Sequence, residues 1–352
     1  MKIPIEFRSS TGNNDPFDDD LDAGHLVIQG KLIHYAEKIF QRQHRTFIFS
    51  IIVMGCFARI IRWDRSGAVV THRFDYVQHP EYLGDFFWRF SHASSADQGY
   101  DPSAELILED SDEYEFMDRV ASKELEVRDY AREYFKESLG DPTLDPEFKP
   151  RRWKLSVTES ASGSTRHFLV GMPFYLATEI IGRGTHVFVA LDCKTEKFVC
   201  LKDVWRVIHV DIDQEGVILR RLNELKIENV PTLCIDGDVE NQHTFTDRLW
   251  KELYPEIECP FRTHAHYRIV EEEVCRPLSD FKNGHELLKL TNDCFQGTSH
   301  SFETSVCTDT NALQLIERPS REQISCTVIL VRGTCLYTST RGAMGQLYAE
   351  VH

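Results

Sequence analysis

The period of the apolar pattern changes repeatedly along the 352 residues, and each change predicts an element. Residues 1–8 alternate as a strand that is already under way at the first residue, as though a natural beginning were missing. Asp15 to Asp22 is acidic and carries Pro16, so it reads as a solvated loop. From Ile28 to Gln43 the spacing is helical, with Ile28, Leu32, Tyr35, Ala36 and Ile39 on one face. Strands follow at Arg45 to Met54 and Ala58 to Trp63, separated by Gly55. Asp64-Arg65-Ser66-Gly67 predicts a hairpin turn from which Ala68 to Arg73 returns. Pro80 to His92 is helical and aromatic, and Asp110 to Ser138 alternates acidic and basic residues in the manner of a charged surface helix.

Pro142, Pro146 and Pro150 break any helix and mark a boundary. Beyond it, Trp153 to Val157 and Arg166 to Val170 form a hairpin around Ser162-Gly163-Ser164. Strands are predicted at Val187 to Ala190, Lys197 to Lys202, Thr232 to Ile235 and His266 to Val270, with a helix over Glu215 to Leu222. After Cys294 the text changes character. Residues 296–352 are rich in Ser, Thr and Gly, with one clear strand from Ile324 to Val331. The chain divides into an α+β unit at 1–148 with a mixed sheet and flanking helices, a five-stranded antiparallel sheet with one main helix at 150–293, and a divergent, poorly ordered tail at 294–352.

Composition narrows the function. A net charge of −16 argues against unspecific binding to nucleic acid or to an anionic membrane, though not against a local basic pocket for a phosphate group. The longest apolar run, Phe47 to Ala58, falls short of the roughly 20 residues a bilayer span needs. No signal peptide opens the sequence, so a soluble intracellular protein is expected. None of the ten cysteines is spaced as Cys-x-x-Cys. Cys56, Cys193, Cys200, Cys234 and Cys275 sit in apolar runs and read as buried, reduced thiols. His264 and His266 alternate on one strand, and with no third ligand nearby they read as surface histidines, leaving no metal site.

One constellation carries candidate chemistry. Ile180 to Ala190 reads as strand, glycine turn and strand, with Gly182, Gly184 and Val189 spaced as in a phosphate-covering loop. Lys202 ends the following strand, and Glu215 opens a helix one turn before Ile218 and Leu219. Singly, these also fit a plain hairpin, a solvated lysine and a favourable helix-dipole partner. Their order gives them weight.

The wider text resembles a fungal-type protein kinase. It does so at Gln43-His44-Arg45-Thr46-Phe47, Ala58 to Gly67, Phe87-Trp88-Arg89-Phe90-Ser91-His92, Gly182-Arg183-Gly184-Thr185, Leu201 to Arg206, Asn229 to Thr232 and Arg276-Pro277-Leu278, covering residues 1 to about 293. The resemblance implies a kinase small-lobe sheet, ATP with magnesium, and transfer to a serine or threonine hydroxyl. Gly182, Gly184 and Val189 would cover the nucleotide, Lys202 would pair with its phosphates, Glu215 would orient Lys202, and Glu271-Glu272-Glu273-Val274 would be the hinge.

The pattern then fails. No H-R-D or D-F-G sequence follows Lys202, and Asp280-Phe281-Lys282 lacks the glycine. No catalytic residue can be assigned, and a member without activity, with ATP binding weak or absent, is expected. A non-catalytic module offering the exposed small-lobe underside to a protein partner is the alternative, as is a fragment of an active kinase from a truncated gene model. A second resemblance is local. Glu6-Phe7-Arg8 is similar to the E-x-K half of a restriction-nuclease-like core, with Arg8 in place of lysine, which would make the first unit a nuclease-like remnant without activity.

Overall fold

Helix α1 (Ala23–Arg42) begins where the 3.6-residue spacing does, and that spacing decides where it packs. Ile28, Leu32, Ala36 and Ile39 meet Ile48, Ile52, Ile61, Trp63 and Val70 of a mixed sheet in one buried cluster. The strands are β1 (Ile5–Arg8), β2 (Ile48–Met54), β3 (Phe57–Trp63), β4 (Ala68–Thr71) and β5 (Phe74–Asp75). β1 runs parallel to β2, β2 to β4 are antiparallel, and β5 pairs with β3. On the opposite face, Leu83 and Phe86 of α2 (Pro80–His92) cover Ile51, Val53 and Ala58. A computed structural model describes residues 2–9, 15–18, 23–123, 127–140, 150–160, 162–276, 281–303, 313–319, 324–330 and 348–351.

The stretch expected to be one charged surface helix is two. α3 (Asp112–Ala121) is capped by Ser111, whose hydroxyl accepts from the Tyr114 N–H, and α4 (Tyr130–Ser138) by Asp129, which accepts from the Arg132 N–H. Both are charged outward and apolar inward. Met117 and Phe135 are fully buried, because these helices pack on the second sheet.

That sheet comprises β6 (Ala104–Ile107), β7 (Arg152–Thr158), β8 (Thr165–Val170), β9 (Tyr175–Leu176), β10 (His186–Asp192), β11 (Phe198–Val207), β12 (Leu233–His243) and β13 (His264–Glu271). Its order is β12-β13-β11-β10-β8-β7-β6, with β9 beside β10, and every pairing is antiparallel. At eight strands it is wider than the five expected: β6, from before residue 148, extends one edge, and β9 pairs beside β10. The sheet curls until β12 returns to β7. The Ser160 N–H donates to the Asp236 carbonyl at 3.3 Å, and a Cβ on Gly237 would stand 1.9 Å from the Thr158 carbonyl oxygen. Leu155, Phe168, Val170, Phe188, Leu201 and Val270 fill the inside of the curl. Each such side chain contributes about 1.5–3 kcal/mol by leaving water.

α5 (Glu215–Glu224) covers Val204, Tyr267 and Ile269 on the outer face. α6 (Thr246–Leu253), which the apolar pattern did not predict, lies between β12 and β13. Its first N–H groups, on Phe245 and Thr246, donate to Asp64 Oδ2 at 2.8 and 3.0 Å. The cap therefore comes from the β3–β4 turn. Ser66 Oγ of that turn donates to the Arg262 carbonyl at 2.9 Å, and Ile180 joins the α1 core, so the two sheets are tightly docked.

Of the tail expected to be poorly ordered, much lies outside the described residues. Within them are α7 (Gly284–Glu303), the hairpin of β14 (Leu313–Pro319) and β15 (Ile324–Leu330), and β16 (Tyr348–Val351), which runs parallel to β4. Residues 141–149, with Pro142 and Pro146, and 277–280, with Asp280, also lie outside them. The loop from Asp15 is not solvated where it is described: Asp15 is buried and accepts from Arg59 Nε at 3.0 Å. Cys193 is exposed at the β10–β11 turn rather than buried.

The nuclease-like reading gains no support. Glu6 is ion-paired to Arg8 at 2.8 Å and accepts the Tyr35 hydroxyl at 3.0 Å, so its carboxylate is committed. Among the described residues no helix is long and apolar enough to cross a membrane.

Candidate functional site

Antiparallel pairing sets Lys202 opposite Val187 on one side and Ile269 on the other, and Cys200 opposite Glu271. Lys202 and Glu271 are thus diagonal neighbours on the outer face, within reach of each other. Lys202 Nζ donates to Glu271 Oε1 at 2.6 Å and to Glu215 Oε1 at 3.0 Å. Glu215 is held there by its own helix start. The next residue, Gly216, donates its N–H to the Tyr267 hydroxyl at 2.9 Å, and that hydroxyl donates to Asp236 at 2.9 Å. All three charged side chains are buried.

Burial opposes the charge of Lys202, but Glu215 and Glu271 outweigh it and hold the lysine above its ordinary pKa. Burial raises Glu215 as well, and there Lys202 and Arg183 prevail and lower it. For Glu271 burial wins: it lies above the usual carboxylate range despite Lys202, with Glu215 adding repulsion. Glu271 Oε2 has no hydrogen-bond partner among the described residues.

The glycine turn closes a hairpin. The Ala177 N–H donates to the Thr185 carbonyl, and β9 pairs with the start of β10. Residues 180–181, expected as strand, are an apolar anchor in the first core instead. Arg183, between the two glycines, reaches Glu215 Oε2 at 3.2 Å, so the turn and the lysine share one carboxylate. The Gly182 N–H is already used, donating to the Arg65 carbonyl at 2.8 Å. Gly184 has φ +48°, and a Cβ there would stand 2.3 Å from the guanidinium carbon of Arg65. Gly184 thus lets the β3–β4 turn approach the loop closely, whereas a Cβ on Gly182 would meet nothing and only its φ of +103° favours glycine.

Val189 is buried in the cluster formed with Met117, Phe135, Leu139 and Val274. The Phe135 and Phe198 rings lie 5.0 Å apart, so α4 covers the outer face over β10 and the start of β11. The structure therefore brings Lys202, Glu215 and the Gly182–Gly184 turn together, and places Val189 beneath α4.

The fungal protein kinase family model matches residues 27–254, about two thirds of the chain. The chain belongs to the fungal protein kinase family. No curated protein matches it. The match runs from within α1 through α6 and includes Gly182, Gly184, Val189, Lys202 and Glu215, but not Glu271.

Two features of this kinase-family chain differ from the reading of the sequence, in which Glu271 is only a hinge residue and His264 and His266 are surface histidines. Glu271 continues the outward alternation of Tyr267 and Ile269, a signal visible once β11 and β13 are aligned. His264 and His266 are not surface histidines: both are buried, because the curl of the sheet encloses that end of β13. His266 lies between Asp203 and Gln242, each at 2.5 Å, and stacks on Trp205. Arg268 beside it binds Asp101 at 2.6 Å and Asp203 at 3.0 Å. No group of three or more His, Cys, Asp and Glu among the described residues is placed to hold a metal.

Proposed function

We propose that this member of the family does not transfer phosphate, and that its small-lobe lysine and glutamate serve as a structural ion cluster. One observation carries the reading: the Lys202 ammonium is enclosed by two carboxylates, Glu215 and Glu271. With Arg183, the four charges sum to zero. A triphosphate would meet no net positive charge there and would have to compete with Glu271 for Lys202. The Gly182 N–H bound to Arg65 and the cover of α4 over Val189 point the same way. Between Lys202 and His352 no H-R-D or D-F-G sequence occurs, so these residues themselves supply neither the proton acceptor nor the magnesium ligands of a kinase. Loss of one transition-state stabiliser typically costs about two to three orders of magnitude in rate.

The test is thermal unfolding of the full chain with ATP and magnesium. The expected result is no shift of the midpoint at millimolar nucleotide. A saturable rise that Lys202→Ala abolishes would overturn the structural reading of the cluster. Label transfer from γ-labelled ATP to a generic serine/threonine substrate, absent in Lys202→Ala, would overturn the proposed lack of activity.

A further inference from the structure

Three buried nitrogens that have no hydrogen-bond partner among the described residues belong to residues lining one cleft: Arg45 Nη2 and Arg65 Nε, both donors, and His186 Nε2, a donor when the neutral ring carries its proton there. The cleft lies where the β3–β4 turn and the segment after α1 meet one end of the curled sheet. It is separate from the Lys202 cluster, since His186 and Asp203 occupy the other face of the sheet.

The carboxylates at this cleft are already committed. Asp101 binds Arg268, and Asp203 binds Arg268 and His266 and lies 3.6 Å from His44. Among the described residues no carboxylate offsets the charge of Arg45, and only Asp203 acts on Arg65. Arg45 lies 3.3 Å from the Tyr100 ring centre and Arg65 4.5 Å from that of Phe40, which compensates only in part. Burial accordingly pulls Arg65 down to about 10. Counted over arginines and carboxylates alone, Arg45, Arg65 and Arg268 against Asp101 and Asp203 leave one positive charge in excess, in a chain whose net charge is −16. A buried charge without a counter-ion is costly, and a water would satisfy the donors but not the charge. The free space takes about one water-sized body.

We propose that this cleft binds one small inorganic anion of chloride size, held by Arg45, Arg65 and His186 between the two sheets. The anion ties the β3–β4 turn to β10 and so fixes the docking of the glycine loop.

The full chain is unfolded thermally while gluconate, too large to enter, is exchanged for chloride at constant ionic strength. The expected result is a saturable rise of the midpoint by about a few degrees, lost in Arg45→Gln and in His186→Gln. Should either variant not fold, crystals of the unaltered protein grown with bromide give the deciding readout. An anomalous peak within hydrogen-bond distance of the three donors supports the site. Its absence overturns the proposal whichever way the midpoint moves. Stabilisation by phosphate but not by chloride overturns the assignment of size.

Discussion

At the scale of single residues, Lys202 is the most consequential side chain described. Lys202→Met leaves Glu271 and half of Glu215 buried without a counter-charge, and is expected to cost about 3–5 kcal/mol in denaturant unfolding. Adding Glu215→Gln and Glu271→Gln to it should restore much of that loss, because no buried unpaired charge then remains and Arg183, which loses its carboxylate, is part-exposed to water. A triple variant as unstable as the single one would refute the structural-cluster account. His186 makes a second prediction. Burial pushes it from 6.5 to about 3, with Asp203 opposing and Arg65, His44 and His266 adding. Between those values the unfolded chain takes up the proton and the folded one does not. The stability contributed by the neutral ring is therefore complete above pH 6.5 and declines as pH falls toward 3, by up to about 1.4 kcal/mol per pH unit. His264 is lowered by burial in the same sense. Between pH 6.5 and 5, above the range of most carboxylates, the unfolding free energy should fall more steeply in the unaltered protein than in His186→Gln. Lys202 and Glu215 were legible in the sequence because each sits at a fixed place in a local pattern. Glu271 was not, since its role depends on which strand lies beside β11.

At the scale of elements, the glycine loop and α6 show how much of the local form is imposed from a distance. Gly184→Ala must bring a methyl group against the buried Arg65 guanidinium at a backbone angle of φ +48°. It is expected to destabilise by about 1–3 kcal/mol, and a variant unfolding at the unaltered midpoint would show that Arg65 is free to move. Asp64→Ala removes the acceptor for two N–H groups of α6 and for the Ser66 and Gly67 N–H groups in its own turn. It is expected to cost about 1–2 kcal/mol or more, with amides of both α6 and the β3–β4 turn exchanging faster. Helices α1, α2 and α5 were legible because their own apolar spacing and terminators define them. α6 was not, because its cap is 181 residues away in the chain. The long charged helix broke into α3 and α4 because Ser111 and Asp129 each start a new helix, and their thin apolar stripes were hidden among charges.

At the scale of the whole molecule, the two sheets share their packing. Ile180 enters the first core, Asp64 caps α6, and α3 and α4 from the first half cover the outer face of the second sheet. A single calorimetric transition is expected for the full chain, with agreement between calorimetric and van't Hoff enthalpies; two separated transitions would show that the halves are independent. The order of mixed sheet then antiparallel sheet was readable from the change in strand pattern near the prolines. The docking was not, because it rests on polar contacts between turns, which have no periodic signature. A consequence follows for biosynthesis. Translation delivers Asp64 and Arg65 long before Gly184 and α6, so the later strands emerge beside a partner that is already folded. Release of residues 150–303 alone from a ribosome should yield aggregates, and supplying residues 1–148 in trans should rescue them.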